Sequence, residues 1–233
     1  MAIIRLTRRD DVPLGDLAHA VKGDPAFVGR LIKAANSVQT GTRRPVASVN
    51  DALVVLGIPT VRALALGFSL LSENRSGRCR NFNYSRFWSH SLVCAIALQA
   101  LVMRTRLAPP EECFSVGLLS HIGELALATL FPEEYSRLLD AAEGLDVEGR
   151  LAREREAFAM THAELSAAML MDWGLPKAFI EPVYHHEQIE KAGIVEGSRP
   201  YNLTWALALA QRIGDMCLAP EPDRCSMMPS LPT

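Results

Sequence analysis

Apolar residues recur at helical spacing through most of the chain. From residue 27 they fall at 27, 28, 31, 32, 34, 35 and 38, which predicts a helix to about Asn36. Asp24 suits its N-cap, and Pro25 can occupy the first turn, where its missing N–H has no partner to lose. Leu14 to Val21 reads as a shorter helix closed by Gly23. Ser48 to Asp51 caps another, which Gly57 should stop, and Pro59 starts the next, to about Leu71. Tyr84 to Leu107 is the longest helical pattern. Pro109-Pro110 opens a helix that should run unbroken to Phe131-Pro132, where another begins. Val147 to Phe158 alternates Glu and Arg, the pattern of an exposed, ion-paired face. Thr161-His162-Ala163-Glu164 is a capping box in sequence. Gly174 closes that helix, Pro176 opens one ending near Tyr184 to Glu187, and Trp205 to Cys217 is the last.

No stretch alternates strictly between apolar and polar with β-branched enrichment, and no hairpin signal occurs. The expected fold class is therefore all-α. Glu73 to Asn83 is polar and holds Gly77, so a lobe boundary is expected there: about 1–73, a linker at 74–83, and 84–217. Leu218 to Thr233 has four prolines and no apolar period, and is expected to be a disordered tail.

One apolar stretch carries polar groups it must satisfy. Between Val116 and Leu125, Ser120, His121 and Glu124 interrupt a wall of apolar residues. In one continuous helix, Glu124 would lie a turn from Ser120 and on the same face as His121. Contact with Glu124 would then favour the protonated form of His121 and raise its pKa. Buried groups of this kind require partners.

Composition narrows the class. The 233 residues are 49% hydrophobic and 21% charged, with a net charge of −2, which gives no general drive toward nucleic acid. Five scattered cysteines without a Cys-x-x-Cys pair fit reduced thiols. No uncharged apolar run reaches the length of a membrane span, and no signal-peptide pattern opens the chain. A cytoplasmic, soluble protein is expected, with no membrane or nucleic-acid partner. Gly-rich phosphate loops are absent.

The stretch at 118–124 resembles the Leu-Leu-His-Asp-Ile-Gly-Lys word of metal-dependent phosphohydrolases of the HD superfamily. Ser120 stands at the His of that word, His121 at the Asp and Glu124 at the Lys. The whole chain from about 12 to 217 resembles the HDOD domain, the HD-related output domain of bacterial signalling proteins. Its matching words include Asp24-Pro25, Ala35-Asn36-Ser37, Arg44-Pro45-Val46, Leu56-Gly57, Phe87-Trp88 with His90-Ser91, Trp173 with Leu175-Pro176, and His185-His186-Glu187.

The resemblance implies a single domain over 1–217 of two packed helical lobes, the C-terminal one like the HD domain, and a role in regulation. It also implies a helix before Leu14 that here looks short or absent, which would leave Leu14, Leu17 and Val21 partly uncovered. By resemblance, His90, Ser120, His121, Glu124, His162, His185 and His186 form a degenerate pocket, with Gln211 loosely at a final Asp. Loss of the Asp removes the carboxylate that holds two dications together, so neither a catalytic metal pair nor another cofactor is expected. Any single ion would fall to His90, His121, His162 and His185. Glu187 reads as a surface acid. Arg43, Arg44, Arg75, Arg78 and Arg80 are candidate contacts for an anion or a partner.

The expected function is a non-catalytic signal-transduction module. It would act through protein–protein contacts or a ligand-biased rearrangement of its lobes. Two alternatives stand beside it: a metal-dependent phosphohydrolase of nucleotides or cyclic dinucleotides, and a nucleotide sensor that does not hydrolyse. Partners implied by the resemblance are signalling proteins, including GGDEF-type components of cyclic di-GMP pathways, and a homodimer is a candidate assembly.

Overall fold

The computed structural model describes residues 13–38, 44–69 and 77–219, without the side chains of 14, 58, 59 and 62–69. Eleven α-helices and one 3-10 turn fill them, with no strand among the described residues. They are α1 Leu14–Lys22, α2 Pro25–Val38, α3 Val49–Ser69, α4 Tyr84–Thr105, α5 Pro110–Leu119 and α6 Ile122–Leu130. Then come α7 Pro132–Ala141, α8 Val147–Phe158, α9 His162–Asp172, α10 Lys177–His185, the 3-10 turn Ile189–Lys191 and α11 Arg199–Leu218.

The caps follow the sequence chemistry. Asp24 Oδ1 accepts from Phe27 N at 2.9 Å, and Ser48 Oγ from Asp51 N at 3.0 Å. Asn83 and Asp146 cap α4 and α8 in the same way. Thr161 and Glu164 complete a reciprocal capping box at the start of α9. Each bond satisfies a helical N–H that would otherwise lack a partner.

Gly57 ends one helical run as the sequence implies: its φ of 72° and ψ of 159° are non-helical, and a second run follows directly, so that α3 is two helices meeting at a kink, a backbone state that glycine adopts without a Cβ clash. Two other boundaries differ from expectation. The helix expected from Pro110 to Leu130 breaks at Ser120-His121, where His121 takes φ −106°, ψ 17°. The last helix starts at Arg199, where Ser198 Oγ accepts from Tyr201 N and Pro200 fills the first turn. That signal precedes the apolar run that marks the helix in sequence.

The described N-terminal and C-terminal helices share one core. A continuous apolar core runs from Leu17 and Leu31 through Leu98 and Leu118 to Leu170 and Leu207. Asn36 binds the segment before α3 to the end of α9: its amide donates to the carbonyls of Val46 at 3.0 Å and Trp173 at 2.9 Å, and its Oδ1 accepts from Val46 N at 2.8 Å. Gly29 lets α2 meet the Trp173 ring, because a Cβ there would lie 2.3 Å from it. Lys33–Asp172, Lys22–Glu111 and Arg44–Glu112 add ion pairs around this contact.

The expected uncovered patch on α1 is corrected: Leu17 and Val21 are fully buried, in a helix that packs on α2 and α3. The side chain of Leu14, the helix expected before it, most of the 218–233 tail and the first part of the 74–83 linker lie outside the described residues. Within the tail's start, Leu218 ends α11 and Ala219 is buried.

Two further glycines bring the site helices together. A Cβ at Gly117 would lie 2.9 Å from Ala95 Cα and Cys94 O, and one at Gly214 would lie 2.9 Å from Cys94 Sγ and the His90 ring. Helices α5 and α11 can therefore both approach α4 closely at Cys94, one turn from His90. The stretches Tyr84–Thr105 and Pro110–Leu130 are apolar and long enough to cross a membrane by length and composition. Here both contribute residues to the shared core.

Candidate functional site

Five elements meet at one end of the C-terminal helices. Helix α4 supplies His90. The α5–α6 break supplies His121, and the first turn of α6 supplies Glu124. Helix α8 supplies Arg150 and Glu154, α9 begins with His162, and His186-Glu187 follow α10. The break is what turns His121 inward: at the N-cap of α6 its ring stacks on His162, centroids 5.4 Å apart, and meets His186 edge-on at 5.1 Å. His90 packs against the same ring at 5.4 Å.

Glu187 lies at the centre of the imidazoles. Its Oε1 is 3.3 Å from His162 Nε2, 3.5 Å from His121 Nε2 and 3.7 Å from His186 Nε2. The other face of His162 is fixed by Glu154, whose Oε2 accepts from ring Nδ1 at 2.7 Å and from the backbone N at 2.8 Å. His186 Nδ1 donates to Val183 O at 2.8 Å, so its Nε2 points into the cluster, buried and without a partner, as is His121 Nδ1. Arg150 links two acids, donating to Glu124 at 2.7 Å and to Glu154 at 3.2 Å, and also to Tyr135 Oη at 3.1 Å.

Charge follows from these contacts. Burial pushes the His121 pKa down to about 3, overriding the attraction of Glu124, so the expected rise does not occur. The physical reason is that Glu124 gives its oxygen to Arg150 and leaves the imidazole in a desolvated wall. Burial alone would also lower His162, but its hydrogen bonds to Glu154 and Glu187 raise it to about 9. Burial would raise Glu124, yet Arg150 and the imidazoles hold it at about 2. Burial would raise Glu187 too, yet its bond to His162 and the surrounding imidazoles hold it well below the usual carboxylate range.

The structure sorts the residues named from sequence. His90, His121, Glu124, His162 and His186 face one groove of about 1420 Å³. His185 is a correction: it turns away and packs on Tyr184 at 4.7 Å, because adjacent residues at a helix end point in different directions. Ser120 lies behind the groove. Its hydroxyl donates to Gly117 O at 2.9 Å and accepts from Gln211 Nε2 at 2.6 Å, while Gln211 Oε1 accepts from Cys94 Sγ. Gln211 is therefore a packing residue with one edge on the groove. Asp215, one turn further along α11, is the acid near His90, at 3.3 Å from Nε2, with Arg86 at 3.6 Å.

Arg150, Glu154 and Glu187 are the residues sequence reasoning missed, and the reading of α8 as wholly exposed is corrected. Glu154 is fully buried. It lies three residues after Leu151 and four before Phe158, on the helix's apolar stripe, and a charge in such a stripe was the available signal. Among the arginines named as partner contacts, Arg44 pairs with the buried Glu112 at 2.7 Å, Arg78 and Arg80 are exposed, and Arg43 and Arg75 lie outside the described residues.

The Ser120-His121 pair does not reproduce the metal-binding His-Asp pair of the HD phosphohydrolases, although Glu187 sets another carboxylate among the imidazoles. Their paired-metal centre needs a carboxylate bridging two ions. Here His121 takes the place of the Asp, and the oxygen of Ser120 is already engaged twice.

Comparison with known proteins gives concordant results. The HDOD domain profile matches residues 1–189. The response regulator MmoQ from Methylococcus capsulatus (strain Bath) is 41% identical, with a TM-score of 0.83 over 96% of this chain and 89% of that one. A protein of Shewanella amazonensis SB2B, named provisionally as a phosphohydrolase, is 26% identical with a TM-score of 0.52, over 96% of this chain and 78% of that one. An uncharacterized protein of Treponema pallidum (strain Nichols) is 22% identical over 82% of this chain, which spans only 37% of that relative's length.

Proposed function

The chain belongs to the HDOD family, and on that premise we propose that it is a non-catalytic bacterial signal-transduction module. It acts in the cytoplasm through contacts with other signalling proteins, GGDEF-type components among them, or through a ligand-biased change between its helical lobes. The observation that carries this reading is the fate of Ser120. At the position where the HD word places a metal ligand, this chain has a hydroxyl buried at 1% exposure and bonded to Gln211 and Gly117. A group so engaged cannot serve a reaction centre without breaking the packing between α5 and α11. The 41% identity to a response regulator supports the regulatory class.

A second reading, a small-ligand sensor, draws on the groove itself. Its floor is the His–Glu cluster, and its far wall carries Tyr201, Trp205 and Leu209. A polar floor with an aromatic wall suits a nucleotide-sized ligand, held by stacking and by a few oriented polar groups.

Affinity capture from the native cell with mass-spectrometric identification tests the proposal, alongside assays on cyclic di-GMP and generic phosphoesters. Co-purification of a signalling partner without turnover is the expected result. Turnover abolished by His90→Ala would replace the proposal with the phosphohydrolase. A rise in thermal midpoint with one nucleotide alone would select the sensor.

A further inference from the structure

We infer that the outward face of α4 is a docking surface for an acidic amphipathic helix of a partner protein. The inference rests on the regulatory reading and names the kind of partner that reading calls for.

Exposure is the first ground. Leu92, Ile96 and Met103 share one side of α4 and are 38%, 53% and 63% exposed. Ser89 and Ala100 extend the same side. Helices α5 and α11 approach α4 at Cys94 and Ala95, on its buried side. Between Arg86 and Arg104 the ionisable side chains are His90 and Cys94, and both turn toward α11. From Ser89 to Met103 the outward side is a ridge about 21 Å long that carries no charged residue. Single exposed apolar residues are ordinary, whereas a continuous stripe of them marks a contact surface.

Charge is the second ground, and it selects the partner. Residues 77–110 hold arginines at 78, 80, 86, 104 and 106 and no Asp or Glu, in a chain whose net charge is −2. All of these arginines are exposed. Arg86 lies 3.6 Å from Asp215, and the others make no ion pair among the described residues. Arg86 and Arg104 are five helical turns apart, so both border the ridge on one flank, about 27 Å from each other. Beside Arg86 a hollow of about 320 Å³ is lined by Asn83, Ser85, Arg86, Ser89 and Leu218. Its guanidinium and hydroxyl donors suit a carboxylate.

The same pattern disfavours other occupants. A second copy of this chain laid along the ridge sets like charges together in either direction. Antiparallel, Arg86 meets the second copy's Arg104; parallel, each arginine meets its own counterpart. Like charges so placed weaken association. Helices that lie on a bilayer sink an apolar face about 5–10 Å into it. Here the ridge carries no aromatic ring, since Trp88 packs on Phe87 at 5.6 Å, and Ser89 and Ala100 leave it shallow. A partner helix with apolar residues at i, i+4 and i+7 matches the ridge in length and width. Acids near its two ends answer Arg86 and Arg104.

Photo-crosslinking from the full chain in its native cell tests this, with a photoreactive phenylalanine analogue at position 96 and, separately, at position 103. Both should cross-link to one protein segment that has helical apolar spacing and acidic residues at both ends. With the analogue at 103, Ile96→Asp should reduce the adduct by more than about tenfold, because it drives an unpaired carboxylate into an apolar contact. Arg86→Glu with Arg104→Glu should reduce it on a similar scale. Met171→Asp, at a residue of α9 that is equally exposed, should leave it unchanged. Thermal midpoints establish that each variant is folded. Adducts with lipid, with a second copy of this chain or with a basic segment would overturn the inference. So would no adduct at all, or a parental yield in folded Ile96→Asp or Arg86→Glu/Arg104→Glu. A signalling partner held only through another surface would overturn the inference and leave the regulatory reading standing. Phosphoester turnover, measured separately, is what would remove that reading.

Discussion

Gln211 donates to Ser120 across the buried contact between α11 and the α5–α6 break, at 2.6 Å. The bond joins the position of the His in the HD word to the helix that, by resemblance, would carry a final Asp. Ser120→Ala strips the amide of its acceptor in a buried setting, so a loss of about 1–3 kcal/mol is expected. Ser120→Ala with Gln211→Leu should cost less than the sum of the single changes, since neither then leaves a polar group unmet. Urea unfolding of the four proteins measures this, and strict additivity would show the bond to be idle.

Restoring the HD word should not restore the paired-metal centre. In Ser120→His with His121→Asp, the new imidazole must enter a space already filled by Gly117 O and the Gln211 amide. Overpacking of this kind costs about 1–3 kcal/mol. The expected double variant is less stable and binds fewer than two ions by elemental analysis. Two equivalents of Fe or Mn in a folded double variant would mean that only these two positions separate the chain from its catalytic relatives.

Stability should peak near the ordinary histidine pKa and fall on both sides. The folded-state pKa of His162 is raised from 6.5 to about 9. Its contribution is complete below 6.5 and is lost as pH rises through about 9, on the order of 3 kcal/mol. His121 is lowered to about 3, so the unfolded chain takes a proton below 6.5 that the fold refuses, and stability falls with acid. Glu124, held at about 2 against a normal 4.5, adds to the acid loss below 4.5. Urea midpoints across this range, with metal removed, should show both limbs, and His162→Gln should flatten the alkaline one. A parent midpoint unchanged from neutral pH to above 9 would contradict the His162 account.

The helical class, most caps and the family were legible because they are written in local periodicity and in words at fixed spacing. Asp24, Ser48 and Thr161 act where their positions imply. What remained hidden depends on how helices meet. His185 and His186 are adjacent, and only the packing of α10 decides which faces the groove. Glu187 follows them and reads as solvent-exposed, yet the rings of three helices close around it. The Ser120-His121 break is invisible to periodicity because both flanks stay apolar. Arg150 and Glu154 look like a surface pair at i, i+4 until Glu154 is seen to share the stripe of Leu151 and Phe158.

Gly123 sets the distance between the two central histidines. A Cβ there would lie 2.2 Å from His162 O and 2.9 Å from Ser166 N, and its own N donates to Ser166 Oγ at 2.9 Å. These are backbone atoms of α9 that cannot swing aside. Gly123→Ala must force α6 from α9 and separate His121 from His162. A loss above the usual 0.5–3 kcal/mol of single substitutions is expected, or failure to fold. Gly144→Ala, at a φ of 79° but with nothing within 4 Å, should cost only about 1–2 kcal/mol of backbone strain. Equal thermal midpoints for the two variants would refute the steric account.

Arg150 is a cation on which two acids of the cluster depend. It contacts Glu124 and Glu154, and Glu154 in turn holds His162. Arg150→Met keeps the stem's bulk but removes the charge between two acids. Glu154 is fully buried and the guanidinium about one third exposed, so solvent can replace only part of the loss. Breaking one partner of a buried pair costs about 3–5 kcal/mol, and the exposure places the expectation at the lower end. Arg150→Lys should recover only part of this, because one ammonium cannot reproduce the fork that binds Glu124, Glu154 and Tyr135 together. Arg150→Met with Glu124→Gln should be more stable than Arg150→Met alone, since the change removes a stranded carboxylate. The three variants and the parent compared by urea unfolding at neutral pH decide the point. If Arg150→Met unfolds at the parent midpoint, the acids draw their compensation from the histidines alone.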